Sequence, residues 1–198
     1  MNIRLAGFIL PLLWAGSLTA QQATAESFGV AVSTATVNQK AASAALPADG
    51  GTTQVQSGDV TIGTLVTARD VFATVGGAPD GANSNAVSSA TLGLVSILNG
   101  LITANGVVAM ATSTPGNSNA DGSSLGNLVV NGVQLSDPAP NTRVNLPGVG
   151  YVVLNEQIAT AGGITVNMIH VVLQQRLPLG GYVTTGNIIV GSATSRVN

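Results

Sequence analysis

The sequence predicts an all-β fold, with an antiparallel β-sandwich favoured over a β-solenoid, and three observations carry that reading. Short apolar runs rich in Val, Ile and Thr recur along the chain, turn residues punctuate them, and no amphipathic run of helical length is visible. The reading centres on residues 92–112, LGLVSILNGLITANGVVAMAT. Its apolar runs are broken by Asn99-Gly100 and Asn105-Gly106; Gly, and Asn to a lesser degree, tolerates the positive φ that a two-residue reversal demands. Two internal glycines would cost a helix about 1 kcal/mol each, so strands joined by tight turns are expected.

Taken in order, residues 27–37 (SFGVAVSTATV) alternate as a first strand should. Residues 38–51 read as loop, with Pro47 and Asp49-Gly50-Gly51 marking turns; the Ala-rich 40–46 suits a single helical turn. Residues 53–75 carry two more strands. Residues 76–89 (GGAPDGANSNAVSS) and 113–124 (STPGNSNADGSS) are loops by composition. Residues 125–135 hold another reversal at Asn131-Gly132, and residues 141–157 give two strands around Pro147-Gly148. Residues 164–173, 182–190 and 192–197 complete the set.

TLVTARDVFATV, GLITANGVVAMA, NLVVNGVQL and ITVNMIHVVL share an apolar–polar–apolar pattern, which is the argument for a solenoid. Their centres near Ala68, Ala104, Asn131 and Asn167 are unevenly spaced, and Asn-Gly reversals suit antiparallel hairpins. The sandwich is preferred on those grounds.

The N-terminus reads as a secretory signal peptide over residues 1–25. Arg4 precedes an apolar core at residues 5–18, and small residues follow, ending in Ala23-Thr24-Ala25. The expected cut falls before Glu26, with a cut after Ala20 as second choice. An apolar core of that length spans roughly 21 Å, short of the ~30 Å hydrocarbon layer. Residues 26–198 are then a single all-β domain, long enough to bury a core without staples. No later segment is apolar enough to span a membrane, and the expected location is secreted or cell-surface. The absence of cysteine excludes disulfides and thiolate chemistry. Lys and Arg number six in all, against eight Asp and Glu, so the sequence alone offers no basic patch from which to expect nucleic acid or anionic lipid.

From residue 88 onward the order of motifs is specific. GLITA at residues 100–104, LVVNG at 128–132, LPG at 146–148, LNEQ at 154–157 and VNMIH at 166–170 together make the chain resemble the bacterial choice-of-anchor P family. The resemblance covers roughly residue 28 to the C-terminus. It implies a domain of an exported, surface-displayed protein, and it implies no catalytic activity. One departure is that residue 198 follows the last strand with no LPxTG motif, apolar tail or basic cluster, so release or non-covalent retention at the surface is expected.

Candidate chemistry is sparse. His170 is the sole histidine, and alternation places it with Met168 and Val172, opposite Ile169, Val171 and Leu173. A hydrogen bond to Glu156 on a neighbouring strand is the one constellation worth weighing; a polar pair that pins strand register is favoured over a catalytic dyad. Asn117-x-Asn119-x-Asp121-Gly122 imitates the start of a calcium loop, but Leu128 stands where a bidentate Glu is required, so a plain turn is preferred. No cofactor, metal or catalytic residue is assigned. The leading expectation is a non-enzymatic, exported structural or adhesive protein that forms homo-oligomers or binds other surface proteins through edge strands, with the segment 26–46 exchanged between subunits. A glycan- or ligand-binding module using the loops at 76–89 and 113–124 comes second, and a hydrolase built on Glu156 and His170 third.

Overall fold

A computed structural model describes residues 22–198; of the leader predicted over residues 1–25, residues 1–21 lie outside them and residues 23–25 belong to the first strand. Two antiparallel sheets pack face to face, so the fold is the expected all-β sandwich rather than a solenoid. The first sheet has the order β11 (Thr142–Leu146), β12 (Gly150–Thr160), β13 (Gly163–Arg176), β14 (Tyr182–Val197), β1 (Ala23–Thr34), β2 (Asn38–Ala45). The second runs β10 (Val133–Leu135), β9 (Leu128–Val130), β6 (Ile102–Thr114), β5 (Asn85–Ile97), β4 (Val66–Ala78), β3 (Gly51–Ile62), and the short β7 (Asn117–Asn119) and β8 (Ser124–Leu125) also pair with β6. The chain therefore starts in the first sheet, builds the second, and returns so that its last strand pairs with its first, Ala23 opposite Val197 and Thr34 opposite Gly186.

The core grades from small to large residues. Toward the chain termini the facing positions are Ala23, Ala25, Ala86, Ser88, Ala90, Ala109, Ala111 and Ala193, all buried. Toward the other end they become Val30, Val32, Ile97, Ile102, Leu128, Leu146, Leu154 and Ile188. Small side chains let the sheets close in. Cα atoms of β14 lie within 8 Å of β5 and β6, against a usual spacing of about 10 Å. Ser113 and Ser195 share a hydrogen bond across the two sheets at 2.8 Å, and the Ser27 hydroxyl donates to the Thr74 carbonyl at 3.2 Å. Both bonds satisfy fully buried hydroxyls between the sheets.

Every long central strand changes phase once near its middle. The inward set advances by three residues instead of two, from Ser27 to Val30, Ala68 to Val71, Leu92 to Val95, Ala104 to Val107, Val166 to Ile169 and Val190 to Ala193. A plain two-residue period would turn half of each strand's apolar set to solvent. Facing strands change phase at the same row, so register is unbroken there (Phe28 opposite Ser192 and Val30 opposite Val190; Leu92 opposite Val107 and Leu94 opposite Asn105), and the paired bulges carry positive φ at Gly191, Gly106, Asp70, Asn155 and Ala42. Side by side, these bulges cross each sheet as a transverse band.

Several sequence expectations change accordingly. Asn99-Gly100 does make a turn, with φ of 55° and 86°, and Asn131-Gly132 forms a two-residue reversal between Val130 and Val133. Asn105-Gly106 does not: it is the bulge of β6, opposite Leu94 and Gly93, and the strand runs on to Thr114. Gly191 likewise bends one continuous β14 instead of separating two strands. Residues 38–45, expected as loop or helical turn, form β2, because Ala42 and Ala44 are worth more buried over the second sheet than Ala's helix preference is worth. The expected loop at 76–89 shrinks to a short turn between Ala78 and Asn85 with a 3₁₀ turn at Gly81–Asn83; the rest is strand.

Candidate functional site

The only histidine sits on the outer face of the first sheet. On β13 the inward residues are Val166, Met168, Ile169 and Val171, while Asn167 and His170 point away from the core. Met168 thus does not share the His170 face as simple alternation predicts, because the bulge falls at this residue and leaves it fully buried. Val172 does share that face, alongside Asn187 on β14.

Glu156 and His170 come together as the sequence suggested. In β12 the left-handed Asn155 (φ 48°) shortens the path between Val153, which lies opposite His170, and Glu156, which lies opposite Asn167. Glu156 Oε2 accepts from Asn167 Nδ2 at 2.7 Å and lies 2.9 Å from His170 Nδ1. The other ring nitrogen, Nε2, is 3.1 Å from Asn187 Oδ1, and Asn167 Oδ1 accepts from Ser192 Oγ at 2.7 Å. A polar chain therefore crosses β12, β13 and β14. Sequence reasoning missed Asn167, Asn187 and Ser192, since three common polar residues on separate strands give no signal until register is known.

The electrostatics follow from that geometry. Glu156 is held below its ordinary value of 4.5, first by the His170 hydrogen bond and also by Asn167, against an opposing push from burial. His170 is held above its ordinary 6.5, first by the Glu156 hydrogen bond and also by Asn187, with burial again opposing. With an acceptor against each nitrogen, the ring fits best as the imidazolium, donating at both ends. Neither ring nitrogen bonds a hydroxyl group. The arrangement links three strands through their side chains.

Its pH signature has a definite sign. Glu156 contributes stability above 4.5 and loses it as pH falls through its lowered folded value. His170 contributes below 6.5 and loses it as pH rises through its raised folded value. The pair therefore supports the fold most between those two values. Urea melts of Glu156→Gln are expected to lose about 1 kcal/mol relative to wild type near pH ~5.5 and clearly less near pH ~9; an equal loss at both would deny the linkage.

The calcium-like segment is a strand followed by a turn. Asn117–Asn119 pairs with Thr112–Thr114 of β6, and Asn119 Oδ1 accepts from the Asp121 backbone N–H at 3.1 Å. The Asn119 side chain is thus spent on local backbone in the manner of an Asx turn, and Ser118 shares a hydrogen bond with Ser113. Among the described residues no cluster of three or more His, Cys, Asp or Glu is placed to hold a metal ion. On the outer face of the second sheet, a groove of about 480 Å³ lies along the bulge band, lined by Asp59, Arg69, Ser96, Thr103, Asn105 and Asn127 among others. Neither sequence-predicted loop lines it.

Fold and site together define an all-β sandwich whose one histidine is bound into the sheet. No family model, curated protein or solved structure matches the chain.

Proposed function

We propose that this is an exported, non-enzymatic structural or adhesive protein of the choice-of-anchor type, which associates through a free sheet edge. The observation that carries the reading is the outer edge of β3. From residue 51 to residue 57, GTTQVQS, the strand is largely exposed, uncharged, and paired only on its β4 side. An unpaired row of N–H and C=O groups without a guarding charge recruits another strand. The other edges are weaker candidates: β10 and β11 are short, and β2 is bent at Ala42 and carries Lys40. Exchange of residues 26–46 is not part of this proposal, because β1 is hydrogen-bonded on both sides, to β14 and to β2.

Sedimentation velocity of the mature chain tests the reading. Concentration-dependent assembly is expected, and Gln54→Lys with Gln56→Lys should abolish it without lowering the melting temperature. A wild-type chain that stays monomeric at high concentration, with no fibres by electron microscopy, refutes it. A second reading, a glycan-binding module, is favoured by the polar groove around Asp59, Arg69 and Asn105; binding on a glycan array that is lost in Asp59→Ala would select it instead.

A further inference from the structure

The two ends of the sandwich differ in chemistry in a way the sequence alone does not display. At the end that carries the chain termini, the turns and strand ends hold Glu26, Asp49, Asp80 and Asp121. Asp59, Asp70, Asp137 and Glu156 lie toward the middle, near the bulge band. The opposite end has no carboxylate. There β13 and β14 run on past their neighbours: Gln174, Gln175 and Arg176 pair with Thr184, Val183 and Tyr182, beyond the last partners supplied by β1 and β12.

The result is a projecting two-stranded finger, and its tip is apolar. Leu179 is fully exposed, and Leu177, Tyr182 and Val183 are exposed with it. Val133, on the β9–β10 hairpin of the second sheet, is exposed at the same end. A groove of about 640 Å³ runs between this finger and the Leu146–Gly150 turn. Arg143 and Arg176 both line it; the Arg143 guanidinium lies 3.7 Å from the centroid of the Tyr151 ring, which extends it along the outer face.

We infer that this end docks on a lipid surface bearing anionic headgroups, with Leu177 and Leu179 entering the acyl boundary and Arg143 and Arg176 meeting the phosphates. Two features select lipid over a protein partner. The apolar groups sit on a convex tip, which a protein could cover only with a matching hollow, whereas a bilayer deforms around it. Arg176 stands at the base of the tip and Arg143 lines the same groove behind it, neither in an ion pair with a carboxylate among the described residues, and Tyr182 lies opposite Arg176, where an amphipathic ring is favoured. The acidic end, with the chain termini, then faces away from the surface. Docking of this kind needs no segment crossing the bilayer, and among the described residues no helix is long and apolar enough to cross one.

Co-sedimentation with phosphatidylcholine vesicles, with and without phosphatidylglycerol, tests the inference. The wild-type chain should pellet with the anionic vesicles and release at high salt. Arg143→Gln with Arg176→Gln should weaken binding by about tenfold or more and flatten the salt dependence. Leu177→Ser with Leu179→Ser should abolish binding, with an unchanged circular-dichroism melt. As an independent readout, Tyr182→Trp should shift its emission to the blue on adding anionic vesicles. Wild-type protein that stays in the supernatant with both vesicles overturns the inference, and so does tip-variant binding equal to wild type. Loss of a wild-type dimer in the tip variants, seen by sedimentation, would show that a second copy covers the tip and overturn it as well. The β3-edge variants should bind vesicles normally, which separates this result from the assembly test.

Discussion

Alanine at Gly29 is expected to lower stability by about 3 kcal/mol, a fall in melting temperature of roughly 6–12 °C for a chain of this size. Gly29 sits in β1 at the phase change, and its α-carbon faces Val71 of the opposite sheet; a methyl built there overlaps Val71 Cγ1. The conflict is purely steric, since Gly29 does not need a left-handed backbone. Val71 is fully buried and β-branched, so it has no free rotamer to retreat into. The sheets cannot separate locally without opening the Ala/Ser contacts beside them. A double-mutant cycle makes the prediction specific: Val71→Ala costs stability alone, but the loss in the Gly29→Ala, Val71→Ala double variant should fall short of the sum of the two single losses by more than about 1 kcal/mol. If Gly29→Ala melts with wild type, the close approach of the sheets is wrong.

A chain that begins at Glu26 should be less stable than one that begins at Gln21, by about 2 kcal/mol or roughly 4–8 °C. The earlier residues belong to the sheet: Ala23, Thr24 and Ala25 pair with Val197, Arg196 and Ser195, and Ala23 and Ala25 are buried. Gln22 exchanges two backbone hydrogen bonds with Asn198, at 3.2 and 3.0 Å. Truncation returns the conformational entropy of those few residues, which offsets part of the loss and keeps the net figure modest. It also uncovers one side of β14 from Ser195 to Val197, so the shortened chain should associate more readily than the longer one. A leader cut before Glu26 would remove the first three residues of β1, while the cut after Ala20 leaves the strand whole. Thermal melts of the two purified chains decide the matter; identical melting temperatures would mean that this end of β1 contributes nothing.

The strands themselves were legible because β-branched runs between turn residues have few other uses. So was the Glu156–His170 pair, since a lone histidine on an alternating strand has a face, and the acid of LNEQ lies on a neighbouring strand. The transverse bulge band was not legible. Glycines inside strand patterns, at 29, 93, 106 and 191, were the available signal. The band also runs through Ala42, Asp70 and Asn155, where alanine has no left-handed preference and a single Asp or Asn inside a strand pattern announces no kink. The β2 strand was hidden for a related reason: an alanine run states no preference until a second sheet offers it a flat surface. The polarity of the molecule was hidden by sequence order, because Arg143 and Arg176 are brought to one groove only by the register of β11, β12 and β13.

The pairing of the first strand with the last has a consequence for how the molecule is made. Until β14 (Tyr182–Val197) has been delivered, the β1–β2 hairpin lacks the strand that joins it to β13 and the rest of its sheet. Contacts between positions so far apart in sequence form slowly, because the chain must find a very wide closure before any of them is rewarded. The second sheet, by contrast, is built from consecutive hairpins, so the first sheet is the one that closes last, when its final long strand joins its first.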